Sequence, residues 1–199
     1  MHLMRLAILT ATLLSVSVSG FARTTQDSHS SYLTTPYHDS LEVTLVTARE
    51  MLSEIMTVVG LNANFELKEG KVDNIEASIS RRKRYILYNP EYIRWINNIT
   101  KDKWAAIALL AHEVGHHLNG HTIKRSGSKP HLELEADEFA GFVLYKLGAS
   151  LEQSQKVMIY IAKKKASKTH PARDSRMLAI ETGWNKAALP SSTTVTVKR

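Results

Sequence analysis

Residues 103–120, KWAAIALLAHEVGHHLNG, are the most apolar internal stretch of the chain. Their spacing predicts a helix buried for most of its length and stopped near Gly120. A helix that is apolar nearly all round must be wrapped by other elements, so the domain has to be built about this segment. Yet its second half, HEVGHHLNGH (112–121), carries four histidines and one glutamate in ten residues. A charged glutamate in a buried helix needs a partner or a task.

The flanking sequence supplies the wrapping. Residues 41–59 repeat apolar positions every three and four, and Gly60 follows as a C-cap, which predicts an amphipathic helix. The period then falls to two in NFELKE (64–69), NIEASIS (74–80) and RYILY (84–88). This predicts two or three antiparallel strands with a hairpin around 81–84. NPEYIRWINN (89–98) reads as a short helix opened by Pro90. After a loop at 121–130, HLELEADEFAGFVLYKLG (131–148) reads as a helix between Pro130 and Gly148. SLEQ (150–153) is a capping box that opens another helix, and a last helix is expected from about Pro171 to Gly183. The order predicts an α+β domain, mostly helical, with a small antiparallel sheet.

On a helix, His112 and His116 lie about 40° apart, so both imidazoles leave one face and can meet one tetrahedral ion. Glu113 flanks that face and can reach a water on the ion without being a ligand itself. This is the H-E-x-x-H arrangement of two zinc ligands and a general base. His117 lies about 100° from His116 and is expected at the surface or behind the ligands. His121 sits past Gly120 and misses by one position the histidine that would complete a metzincin site. A carboxylate from the next helix is the better third ligand. ELEAD (133–137) puts Glu133 and Asp137 on one face. Glu133 can then bind the ion, and Asp137 can accept a hydrogen bond from the free ring nitrogen of a ligating histidine. Glu135, about 200° from Glu133, is expected to face solvent.

Three stretches in order, HEVGHH (112–117), ELEADEFAG (133–141) and THPARDSR (169–176), resemble family forty-eight of the metallopeptidases. That family holds the HtpX-type membrane proteases, the CAAX prenyl endopeptidases and periplasmic quality-control proteases. The resemblance spans about residues 41–183. It implies a zincin-like domain and a zinc-dependent endopeptidase, with Glu133 as third zinc ligand. It also implies that His170 or Arg176 lies at the cleft and stabilises the oxyanion or orders the site. The family's membrane helices and tetratricopeptide extension have no counterpart here. The substrate class implied is unfolded or extended protein in envelope quality control, with NIEASIS (74–80) as an edge strand on which a peptide can pair. Two alternatives stay open: a non-catalytic zinc-stabilised chaperone or adaptor, and a latent protease covered by the 121–130 loop or the C-terminal tail.

The termini differ from this domain. Residues 1–22 combine a short basic start, an apolar core and small residues before a cleavage point after Ala22, the layout of a secretory signal peptide. Residues 23–40 read as a flexible segment and 184–199 as a loose tail. Export, to the periplasm or beyond the cell, follows from this layout. The chain has no cysteine, so stability must come from the core and any metal site from histidine and carboxylate. The net charge of +7 gathers partly in RRKR (81–84) and KKKASK (163–168), the first read as a hairpin tip and the second as a helix end. Without interleaved aromatics these runs argue against nucleic acid and leave peripheral contact with anionic envelope lipid as an expectation.

Overall fold

A computed structural model describes residues 45–122 and 129–189. Residues 1–22, expected to be a signal peptide, residues 23–44, most of the 121–130 loop and residues 190–199 lie outside them. The elements run α1 (Leu45–Val59), β1 (Glu66–Glu69), β2 (Ile75–Ser80), β3 (Lys83–Tyr88), α2 (Pro90–Thr100), α3 (Trp104–Leu118), α4 (Pro130–Leu147), α5 (Leu151–Ile161) and α6 (Arg173–Ala188). The domain is α+β and mostly helical. Among the described residues no helix is long and apolar enough to cross a membrane.

The central segment is α3, and every residue from Trp104 to His112 is buried. Its first turn is held by Asp102, whose Oδ1 accepts from the Trp104 N–H at 3.0 Å. The start signals read from sequence hold elsewhere. Asn89 caps α2 ahead of Pro90, and Ser150 and Gln153 form the reciprocal capping box of α5. KKKASK falls in the loop after α5, not at its end.

The sheet differs from the expectation in one respect. Strands β2 and β3 form the antiparallel hairpin, with Ser80 opposite Lys83 and the two turn residues, Arg81 and Arg82, at positive φ, as a two-residue turn requires. But β1 pairs with β3 in parallel, so the order is β1-β3-β2 and the sheet is mixed. The reason is burial. Ile86 and Tyr88 on β3 are fully buried, whereas β1 is mostly exposed. The strand with the most apolar surface to hide takes the centre, which a period of two does not reveal. One consequence matters for the site: among the described residues no strand pairs with the outer edge of β2.

Two close helix contacts bring the later elements onto α3. Gly115 faces the Ala136 backbone, where a Cβ would sit 3.2 Å from its carbonyl oxygen. The α4–α6 contact is tighter. A Cβ on Gly141 would collide with the Ile180 carbonyl, and one on Gly183 with the Glu138 carbonyl. Glycine is required where backbones come this close. Gly183 therefore does not end the last helix. It lies inside α6, which continues through Trp184 to Ala188, and Trp184 Nε1 donates to the Ala149 carbonyl at 2.9 Å. Residues 184–188, expected in a loose tail, are therefore helical.

Candidate metal centre

His112 and His116 leave α3 on one face, one turn apart, with their Nε2 atoms 3.1 Å from each other. Glu133 reaches them from the first turn of α4. Its two oxygens lie 3.4 Å from His112 Nε2 and 3.6 Å from His116 Nε2. One ligand atom from each of the three falls within 4.8 Å of the others. Zinc with bonds near 2.0–2.1 Å in tetrahedral geometry separates its ligand atoms by about 3.3 Å. The two nitrogens stand close to that edge, and each has one of the Glu133 oxygens at a similar distance. His112 and Glu133 are buried and His116 is nearly so. Three lone-pair donors thus converge in a shielded place, and with no thiolate in the set their chemistry suits zinc.

The charges say the same. Burial works against a proton on His112, but the adjoining Asp137 and Glu133 carry its pKa up to about 10. Burial and the neighbouring His112 push His116 down to about 4. Two rings whose Nε2 atoms face each other cannot both be protonated, and a cation between them removes the conflict.

Asp137 lies where the helix spacing places it. Its Oδ1 accepts from His112 Nδ1 at 2.8 Å, one turn beyond Glu133. This fixes the tautomer that leaves the His112 Nε2 lone pair toward the ion. Arg176, from α6, grips the same carboxylate. Its Nε donates to Oδ2 and its Nη2 to Oδ1, both at 2.7 Å. Asp137 is fully buried and Arg176 nearly so. Arg176 thus meets the cluster through Asp137. His170 is not brought into the cluster. It is exposed, and its Nδ1 pairs with the Thr169 hydroxyl at 2.8 Å.

Glu113 points from α3 toward the sheet. Its Oε2 accepts from the Ala77 N–H of β2 at 2.6 Å. Alternation along β2 therefore turns the backbone groups of Ile75, Ala77 and Ile79 to the open edge, beside Glu113. Burial pushes the Glu113 carboxyl up to about 7, against the pull of His112 and the Ala77 N–H. A carboxylate poised near neutrality next to a metal position is suited to proton transfer.

Three features escaped the sequence reading. His117 is not at the surface: it is buried, stacks on Phe65 with centroids 4.9 Å apart, and donates from Nε2 to the Tyr85 carbonyl at 2.9 Å. It fastens α3 to β3. Arg84, one of the RRKR cations, donates to the His117 carbonyl and to Asn64 Oδ1, so it belongs to the framework. Tyr92 on α2 lies within electrostatic reach of Arg176 and Glu113, with burial raising its pKa most. Nothing in the motif pointed to it. Glu135, expected in solvent, is about half exposed, but its Oε2 pairs with His121 Nε2 at 2.8 Å. The other ring nitrogen of His121 lies 3.0 Å from His116 Nδ1.

Comparison with protein-family models, curated proteins and solved structures finds no match to this chain, so its functional reading stands on the geometry of these residues.

Proposed function

We propose that the chain is a zinc-dependent endopeptidase with a zincin-like domain of the gluzincin type. The observation that carries this is the convergence of His112, His116 and Glu133, one ligand atom of each within 4.8 Å of the others, with Glu113 beside them. A structural zinc site is closed by four protein ligands, whereas three leave a position for water or substrate. A glutamate next to that open position has a use only if a proton is to be moved. Zinc held there supplies Lewis acidity, making water a nucleophile at neutral pH and polarising a scissile carbonyl.

The chain's own groups perform the rest. Glu113 takes the proton of the attacking water and returns it to the leaving amine. Asp137, clamped by Arg176, holds His112 in the metal-binding tautomer. The open edge of β2 offers main-chain groups next to Glu113, where an extended peptide can add as a strand. Main-chain pairing reads shape more than sequence, which suits unfolded or extended protein segments and envelope quality control. Residues 1–22 are proposed as the signal that exports the chain to the periplasm or beyond. N-terminal sequencing of the exported protein should begin at Arg23, and an intact Met1 would remove that part.

The test of the activity is Glu113→Gln. Zinc-loaded wild type should cleave an unfolded protein such as casein. The variant should keep its zinc and lose about 10²–10⁴-fold of the rate, the usual contribution of a general base. Undiminished cleavage by the variant would remove Glu113 from the mechanism.

A further inference from the structure

The two histidines of the site are held from behind in different ways. His112 rests directly on a buried carboxylate. His116 rests on another imidazole, and the turn that ends α3 puts it there. Gly120 takes φ +74°. The His121 N–H then bonds back to the His116 carbonyl at 3.0 Å and the Gly120 N–H to the His117 carbonyl at 3.2 Å. This pair of bonds is the Schellman motif, which reverses the chain over the last helical turn. It carries the His121 ring under His116, with centroids 5.1 Å apart and planes at 71°. The His121 side chain is 6% exposed, and Glu135 closes the far side from the first turns of α4.

Proton positions follow from the contacts. His116 Nε2 faces His112 and Glu133, so its lone pair belongs to the ion and its proton sits on Nδ1. Between the two Nδ1 atoms, 3.0 Å apart, there is room for one proton, and His116 supplies it. His121 must accept there. Its own proton is then on Nε2, where it is donated to Glu135 Oε2 at 2.8 Å. Every proton has one place, and the chain has one polarity, from His116 through His121 to Glu135.

We propose that His121 and Glu135 are positioning residues for His116, a carboxylate–imidazole chain that fixes its tautomer and orientation and strengthens it as a zinc ligand. This rests on the metal-site reading above. It goes beyond that reading by assigning the one histidine of the stretch that is neither ligand nor packed against the sheet. Partners behind metal ligands typically contribute 10–100-fold to metal affinity.

The readout is Zn2+ affinity, measured by competition with a chromophoric chelator, together with the visible spectrum of the Co2+-substituted protein. His121→Phe keeps the ring's bulk and removes both nitrogens. It should weaken zinc binding by about 10–100-fold and shift the Co2+ bands. His121→Gln can accept from His116 through Oε1 and donate to Glu135 through Nε2. It should stay within about threefold of wild type, well short of the loss of about 10–100-fold expected when the partner is removed. Glu135→Gln should fall between the two. Combined with His121→Phe it should add nothing, because the two act in series. Rescue by Gln separates positioning from bulk packing and tests the idea even if the Phe variant folds poorly. Wild-type affinity in His121→Phe, equal loss in Gln and Phe, or independent losses in the double variant would each overturn the proposal. If His112→Ala also leaves zinc binding untouched, the metal-site reading itself fails. If His112→Ala abolishes binding and His121→Phe does not, only this inference fails.

Discussion

Replacing Arg176 by methionine tests how the site is held. The guanidinium makes two charge-assisted hydrogen bonds of 2.7 Å to Asp137, which has no exposed surface. Each such bond contributes about 1.5–3 kcal/mol, so losing both costs about 3–6 kcal/mol. Breaking a buried ion pair from one side independently suggests about 3–5 kcal/mol. Methionine keeps most of the stem packing, and His112 remains 2.8 Å from Asp137 as a partner. Both facts favour the low end, about 3 kcal/mol, which lowers Tm by about 6–12 °C in a chain of this size. Urea unfolding of chelator-treated protein at pH 7 measures it without interference from metal. The pH dependence adds a second check. Burial raises the Asp137 pKa, but His112 and then Arg176 outweigh it and hold the carboxyl below its ordinary 3.8. A depressed carboxyl binds fewer protons folded than unfolded, so its contribution is complete above that value and is lost as pH falls beneath it. The gap between wild type and Arg176→Met should therefore be full at pH 7 and shrink in acid. A cost below about 1 kcal/mol, the range of an exposed pair, would refute the clamp. So would a gap that persists unchanged in acid.

Other outcomes follow from the same geometry. With the His112 pKa at about 10, zinc must displace its proton at neutral pH. Apparent affinity should rise about tenfold per pH unit between pH 6 and 8, and calorimetry in buffers of different ionisation heat should count one proton released. Gly183→Ala forces a Cβ against the Glu138 carbonyl, and α4 and α6 must separate. A net loss of about 1–3 kcal/mol in thermal or urea unfolding is expected despite alanine's better helix propensity. Ala77→Pro removes the N–H that helps hold down the Glu113 pKa, on an edge strand where proline is tolerated. The acid limb of the cleavage profile should move to higher pH, and an unmoved limb would contradict the contact.

The site was readable where it depends on one helix at a time. His112 and His116, or Glu133 and Asp137, share a face by spacing alone, and Asp137 lies behind His112 as that spacing requires. What another element decides was not readable. His117 was placed by angle at the surface or behind the ligands, but the sheet lies on that side and buries it against Phe65 and Tyr85. Glu135 is exposed, as its angle on the helix requires, but its pairing with His121 was missed because the turn that returns His121 beneath His116 was read only as a helix stop. Gly183 shows the same ambiguity: a glycine after an apolar run can end a helix or admit a neighbouring backbone, and here it does the second. The parallel partner of β1 depended on which strand had most surface to bury, a comparison among strands that no single strand records.

The central claim is that three side chains hold one zinc and a fourth works beside it. Metal analysis of the purified protein tests it most directly. Wild type should hold one zinc per chain, retained in Glu113→Gln and His170→Ala, and lost in His112→Ala, His116→Ala and Glu133→Ala. Folded wild type without zinc after incubation with the metal, or zinc retained when Glu133 is removed, would contradict it.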